Sequence, residues 1–174
     1  VKQLYIGDLL KRFQDGTVRI PPEARTFLLA ADISNRLESS IQPALREKRI
    51  VIGDRYIYKI VAQGMARGLK KSWLDGLFEF APKPDITILL DIDPPTAAER
   101  IEAYREISYY EAGMDVLSGE DRRANFIKFQ RRVRENLRAL AEESGAFVLN
   151  AERPVEVQHE EIVRIVDRHP SGTR

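Results

Sequence analysis

The sequence has no cysteine and only two histidines, His159 and His169. Thiol nucleophiles, redox motifs, disulfide frameworks and cysteine-based zinc sites are thereby excluded, and a reducing cytoplasm is the expected compartment. Nor is there an excess of either charge, since 28 Lys and Arg meet 27 Asp and Glu for a formal net charge of +1. Such a balance lacks the basic field with which a protein grips a nucleic acid polymer nonspecifically, and the acidic bias of a disordered tail. Apolar runs such as Ile86 to Leu90 fall far short of the roughly 18 residues of a membrane span. The first residues lack a signal peptide's apolar core, so no membrane partner is expected.

What is present suits one soluble domain. The 174 residues, 43% of them hydrophobic, match the roughly 100–200 residues of a single core. At this size folding removes about 70% of the unfolded surface from water without a metal or disulfide staple. Helical apolar spacing runs from Leu4 to Phe13 and stops at Asp15-Gly16. Pro21-Pro22-Glu23 opens a second helix to Leu37, and Pro43 a short one through Arg46. The β-branched run Ile50 to Gly53 predicts a strand. Helices follow over Ile57–Ala66 and Ser72–Phe80, then a strand within 85–92 expected to be buried on both faces. Asp93-Pro94-Pro95 caps a helix to Tyr104, and an amphipathic helix covers Asp121 to Glu143 until Gly145. Ala146 to Leu149 is a third strand and Val155 to Val166 a last helix. Buried strands alternating with helices predict a three-layer α/β/α fold on a parallel sheet, with ligands at the strands' carboxyl ends.

Two acidic clusters fall at those ends. Asp54-Arg55-Tyr56 follows the first strand: an acid there can hold Mg²⁺ through water and an arginine can grip a phosphate, or the two form a surface ion pair. Asp91 and Asp93 close the second strand. Asp93 has the rival job of N-cap, which leaves Asp91 the better metal neighbour. Residues 105–120, with Tyr109, Tyr110, Gly113 and Asp115, have the composition of a lid that closes over a charged substrate, and equally of a solvated loop. Arg122, Arg123, Arg131, Arg132 and Arg134 cannot all face one site from one helix and read mostly as its solvated face. Neither histidine is given a catalytic role.

Asp54-Arg55-Tyr56, taken with Leu28-Leu29-Ala30-Ala31-Asp32, Lys83-Pro84-Asp85, Leu89 to Pro94 and Arg153-Pro154-Val155-Glu156, resembles the thymidylate kinase family in this order along nearly the whole chain. The resemblance implies a P-loop NTPase-like nucleoside monophosphate kinase that moves the terminal phosphoryl of ATP, with Mg²⁺, to a nucleoside monophosphate, dTMP by default. It implies that Asp54 helps hold Mg²⁺ and orients the acceptor phosphate, that Arg55 binds that phosphate, and that Arg105 is the lid arginine. Tyr56, Gln63 and Arg67 fall in the acceptor segment. Asn150 to Val155 resembles the loop beside the adenine, where Arg153 can stack on the base. A homodimer packed through helices is also implied, with Phe27 to Ala31 as a plausible surface.

Three departures accompany the resemblance. Leu29 and Ile33 stand where the family often has a stacking Phe and a hydrogen-bonding Arg, and Arg36 is one turn from Asp32 to replace the donor. The segment after Tyr56 reads Tyr58-Lys59-Ile60-Val61-Ala62-Gln63-Gly64, and Glu111 to Asp115 reads Glu-Ala-Gly-Met-Asp, as in thymidylate kinase-like relatives. No G-x-x-x-x-G-K-S/T occurs, nor any Gly-Lys pair, although that loop's backbone cradles ATP phosphates. With Val1 rather than Met at the start, an upstream strand–loop–helix–strand segment of at least roughly 30 residues is expected. A catalytically inactive nucleotide- or protein-binding domain and a kinase for another small phosphate acceptor remain open alternatives.

Overall fold

The computed structural model describes residues 11–119 and 121–169. Most of the helix expected over Leu4 to Phe13 lies outside them. Helix α1 (Pro22–Arg36) starts on a proline whose missing N–H costs nothing in the first turn. It runs into a π-helical turn, Leu37–Ile41, and then α2 (Gln42–Arg46). Pro43 has no N–H to donate and its ring crowds the carbonyl four residues back, so the chain widens there and Gln42 N–H bonds Leu37 O instead. Helices α3 (Ile57–Ala66) and α4 (Lys71–Leu77) follow. Strand β1 (Ile88–Asp91) leads through Asp93 into α5 (Pro94–Glu102). The long α6 (Arg122–Ser144) has a side-chain cap at Asp121 and stops at Gly145, in the left-handed region with φ of 68°. Strand β2 (Phe147–Asn150) and α7 (Val155–Asp167) complete the described elements.

The helices follow their apolar periodicity to within a few residues. The sheet departs from the pattern. Strands β1 and β2 pair in parallel with Ile88 opposite Phe147 and Asp91 opposite Asn150, and they are the only strands among the described residues. Ile50 to Gly53 forms no strand. Its residues are irregular and Ile52 is 91% exposed, because a β-branched segment becomes a strand only where a neighbour accepts its backbone hydrogen bonds. Leu90 and Val148 are half-exposed, so the β1–β2 pair is not buried on both faces. The observed class is α/β with a small parallel sheet on a helical body.

That body positions everything below. Helix α3 packs along α6 and against α1, while α6 also covers β1, β2 and α5. Ile33, Ala62, Leu74, Phe129 and Val133 belong to one buried cluster, and Ala98, Ile107, Ala112 and Phe126 to a second that binds the 105–119 segment to α5 and α6. Among the described residues no helix is long and apolar enough to cross a membrane.

Gly113 is where that segment comes nearest the main core. Its φ is 64°, and a Cβ there would lie 2.5 Å from the Phe129 ring, which is fully buried. Gly113→Ala should therefore destabilise the protein by about 2 kcal/mol or more, from left-handed strain and overpacking together. Urea unfolding followed by circular dichroism measures this, and a variant with unchanged midpoint and slope would contradict it.

Candidate active site

Arg67 organises the centre of the molecule. It caps the carboxyl end of α3, and its side chain is 1% exposed. Nε donates to Asp115 Oδ2 at 2.7 Å and Nη2 to Asp115 Oδ1 at 3.1 Å, a bidentate pair across 48 residues. Nη2 also donates to Tyr110 O at 2.9 Å, and Nη1 to Gln63 O at 3.3 Å. The guanidinium lies 3.4 Å from the Tyr110 ring centroid and 4.4 Å from that of Phe129. A buried cation so placed exchanges hydration for charged, polar and π partners in one step.

Residues 107–119 thus lie folded onto α3 and α6 rather than out in solvent. Tyr110 is buried, and burial pushes its phenol up. A second guanidinium, that of Arg25 on α1, lies 3.6 Å from its ring centroid and donates through Nη1 to its hydroxyl at 2.8 Å. Arg25 Nε is buried without an acceptor among the described residues, and burial lowers the affinity of this guanidinium for its proton. Glu111 gathers the other end of the segment. Its carboxylate accepts from Arg105 Nη1 and Nη2 at 2.9 Å each, and from Ser108 N–H and hydroxyl. Burial pushes Glu111 up, but these bonds outweigh it and hold the carboxyl below its ordinary value. The Glu111 carbonyl in turn accepts from Gln130 of α6.

The loop before α3 is more open. Asp54 is 94% exposed, with Arg55 Nε 4.0 Å from Oδ1, and Arg55 has a φ of 57° although it is not glycine. Tyr56 is half-buried and its phenol is raised by burial. One turn into α3, the Lys59 ammonium is lowered to about 8, by burial first and then by the charge of Arg55.

A separate cluster closes the strand ends. Arg134 of α6 donates Nε and Nη2 to the two oxygens of Asp91 at 2.7 and 2.9 Å, and Nη1 to Asp93 at 2.8 Å. These bonds hold Asp91 below its ordinary value. Asp93 occupies the N-cap position of α5 without a capping bond from its side chain, and its N–H donates to Glu152.

The residues singled out from sequence are therefore distributed unevenly. Arg67 is bonded to Tyr110 and Asp115 of the 105–119 segment, the Gln63 carbonyl accepts from Arg67, and Arg105 is bound to Glu111 within that segment. Asp54 and Arg55 stand exposed at the entry to α3. Ile33 is buried in the core and Leu29 packs against it, while Arg36 pairs with Asp32 at 2.8 Å on the surface. Asp91 is placed as an ion-pair partner with both oxygens engaged. At the last loop the Asn150 side chain accepts from Glu152 N–H, Arg153 pairs with Glu161 at 3.1 Å, and Val155 is exposed. Sequence reading missed Arg25, Lys59 and Arg134. Only Lys59 left a signal, because positions 59, 63 and 67 recur every four residues along one face of α3.

Two outcomes follow from the buried charges. Asp115→Ala should destabilise more than Arg67→Met, because it leaves a guanidinium buried without a counter-charge, whereas Asp115, 19% exposed, can turn to water; equal losses in urea unfolding would contradict this. Between pH 8 and 10.5 the unfolded chain holds the Lys59 proton more tightly than the folded protein, so this group makes stability rise with pH across that window. Lys59→Met should flatten that rise and be the more stable form at pH 7, as thermal unfolding at several pH values will show.

The sequence has relatives among known proteins. A family model described as thymidylate kinase matches residues 3–162. Relatives named probable thymidylate kinase include one from Pyrococcus abyssi, 37% identical over 159 residues, covering 91% of this chain and 71% of the relative. Another, from Thermococcus gammatolerans, is 35% identical over 86% of this chain and 66% of its own length. A third, from Pyrococcus horikoshii, is 35% identical over 96% and 78% respectively.

Proposed function

The chain belongs to the thymidylate kinase family, and from that premise we propose that it takes part in transfer of the terminal phosphoryl group of ATP to a nucleoside monophosphate, with dTMP as the first acceptor to test. The observation that carries this reading is the lid segment held onto α3 by the Arg67–Asp115 pair, with Arg105 bound inside it and Asp54-Arg55 exposed at the start of the same helix. Phosphoryl transfer asks a protein chiefly for positioned charge, and that is what these residues offer. The finer fold in this reading is a three-layer α/β/α P-loop NTPase-like architecture, with 105–120 as its lid.

Arg55 binds the acceptor phosphate, and its exposed guanidinium is free to turn toward it. Asp54 orients that phosphate by holding ordered water. Arg105 approaches the transferred group from the lid, kept in a fixed plane by the two-point grip of Glu111. Tyr56, Gln63 and Arg67 line the acceptor segment, Arg67 by holding the lid against it. The donor base lies along Asn150, Arg153 and Val155.

Mg²⁺ keeps most of its waters and needs one or two carboxylates besides the substrate phosphates. Asp54 fits that demand, being solvent-facing and weakly paired. Asp91 is better suited to Arg134, and we assign the metal to Asp54 alone. When bound, Mg²⁺ neutralises charge on the phosphate oxygens. The base-reading positions Leu29 and Ile33 carry no polar group, so they contribute shape rather than hydrogen bonds. A second copy of the chain would meet the face marked by Phe27, exposed and edge-on to Trp73 at 5.5 Å, in a cytoplasmic homodimer.

The test is ADP release with Mg-ATP across nucleoside monophosphates, on the polypeptide as its gene encodes it. Turnover with dTMP is expected, lost on removing Mg²⁺ with EDTA and reduced by roughly 10²-fold or more in Asp54→Asn, the scale of losing one positioned charge. Absence of turnover with every monophosphate would sink the reading in favour of a binding domain, and strong preference for another acceptor would replace dTMP.

A further inference from the structure

Residues 105–119 are attached to the helical body at two points of different chemistry. At the first, Arg67 at the end of α3 donates Nε and Nη2 to the two oxygens of Asp115, so that charge answers charge. At the second, Arg25 of α1 reaches Tyr110 across 85 residues, donating Nη1 to the phenol oxygen at 2.8 Å. The guanidinium carbons of Arg25 and Arg67 lie 3.6 and 3.4 Å from the centroid of the Tyr110 ring. Two such groups cannot share one face of a ring at that distance, so the ring is held between them with one cation on each face.

The second attachment is unbalanced. Among the described residues no carboxylate pairs with Arg25, since Asp115, which attracts it, is committed to Arg67, which repels it. Arg25 Nε is also the one buried side-chain nitrogen or oxygen without a partner among the described residues. A methionine at this position would cover the Tyr110 ring with no charge to draw out of water, so packing alone gives no reason for a guanidinium. What the guanidinium adds is a directed bond to one atom of Tyr110. Tyr110 leads directly into Glu111, whose carboxylate accepts from Arg105 Nη1 and Nη2 at 2.9 Å each. Fixing the ring therefore fixes the backbone that carries Glu111, and with it the plane of the Arg105 guanidinium.

We propose that Arg25 is a positioning residue for Arg105, acting through Tyr110 and Glu111 as a latch that holds residues 105–111 against α1. That Arg105 meets the transferred phosphoryl group rests on the kinase reading, whereas the latch itself does not. The latch opens more easily than the contact at Asp115. Breaking a bond to a neutral phenol returns an unanswered guanidinium to water, but separating Arg67 from Asp115 leaves a fully buried cation alone. The segment thus has a firm anchor at Asp115 and a releasable one at Tyr110, and Arg105 belongs to the releasable side.

The experiment compares wild type, Arg25→Met, Tyr110→Phe and the double variant on the full polypeptide, by thermal unfolding, amide hydrogen exchange read by mass spectrometry, and ADP release with Mg-ATP and dTMP. Arg25→Met should melt at or above wild type, yet exchange about 10-fold faster within 105–119 and no faster in α3 and α6. Its kcat should fall roughly 10- to 100-fold, the scale of a misplaced group, with KM for dTMP held within about twofold. Tyr110→Phe keeps the ring between its cations and removes only the phenol acceptor, so it tests the same bond with the packing intact. It should loosen the segment and lower kcat in the same direction, and the double variant should lose no more than Arg25→Met alone. Unchanged exchange in both single variants would overturn the latch, as would losses that add in the double variant. A lower melting temperature with faster exchange throughout α3 and α6 would also overturn it, marking Arg25 as a core residue only. Loosening confined to 105–119 with no ADP release from wild type would keep the latch and remove the kinase reading. ADP release with the segment loosened and kcat unmoved would keep that reading and overturn the positioning role.

Discussion

The bond between Arg67 and Asp115 is the constraint on which the rest of the molecule depends. Arg67 sits where α3 ends, inside the main core, between the rings of Tyr110 and Phe129. A guanidinium at that depth is tolerable only with its charge answered and its donors used. Asp115 and the carbonyls of Tyr110 and Gln63 do both. The requirement fixes residues 107–119 against the helical body, and with them the position of Arg105. Gly113 permits the approach, since any side chain there would meet Phe129.

Around that pair the charges are arranged unequally. Glu111 and Asp115 are each gripped at two points by an arginine, Arg105 and Arg67, whereas Lys59 has no ion pair among the described residues. The Arg25 Nε atom is buried with no acceptor among the described residues, and the Lys59 ammonium is lowered to about 8 by burial. A protein selected for stability alone would replace such groups with apolar ones. Keeping a lysine at position 59 lowers the stability of the folded protein at neutral pH.

The strand ends show the opposite economy. Asp91 and Asp93 satisfy Arg134, Glu152 accepts from the Asp93 N–H, and Arg100 donates to the Ala151 carbonyl. These contacts tie α5, α6 and the loop after β2 into one closed network, so this corner serves as a frame. The two-stranded sheet carries little of the core. Helix α6 does most of that work, covering both strands on one side and α3 and α5 on others.

The helices were legible in the sequence because their signals are local. Proline at the first turns of α1 and α5, Asp121 before α6, Gly145 after it and the 3.6-residue apolar period of α3 each act within one or two turns of chain. The ordered motifs from Asp54 to Glu156 likewise pointed to the family, since they are strings of neighbours. What tertiary structure alone decided is everything that needs a partner far along the chain. Ile50 to Gly53 has the composition of a strand but no described neighbour to pair with, and so remains coil. Asp91 looked like a metal neighbour until Arg134, 43 residues away, arrived on both of its oxygens. Arg25 meets Tyr110, and Arg67 meets Asp115, only because residues 107–119 fold back onto α1 and α3. Secondary structure is written in short-range sterics and hydrogen bonds, whereas charge pairing and burial exist only after segments distant in sequence have packed.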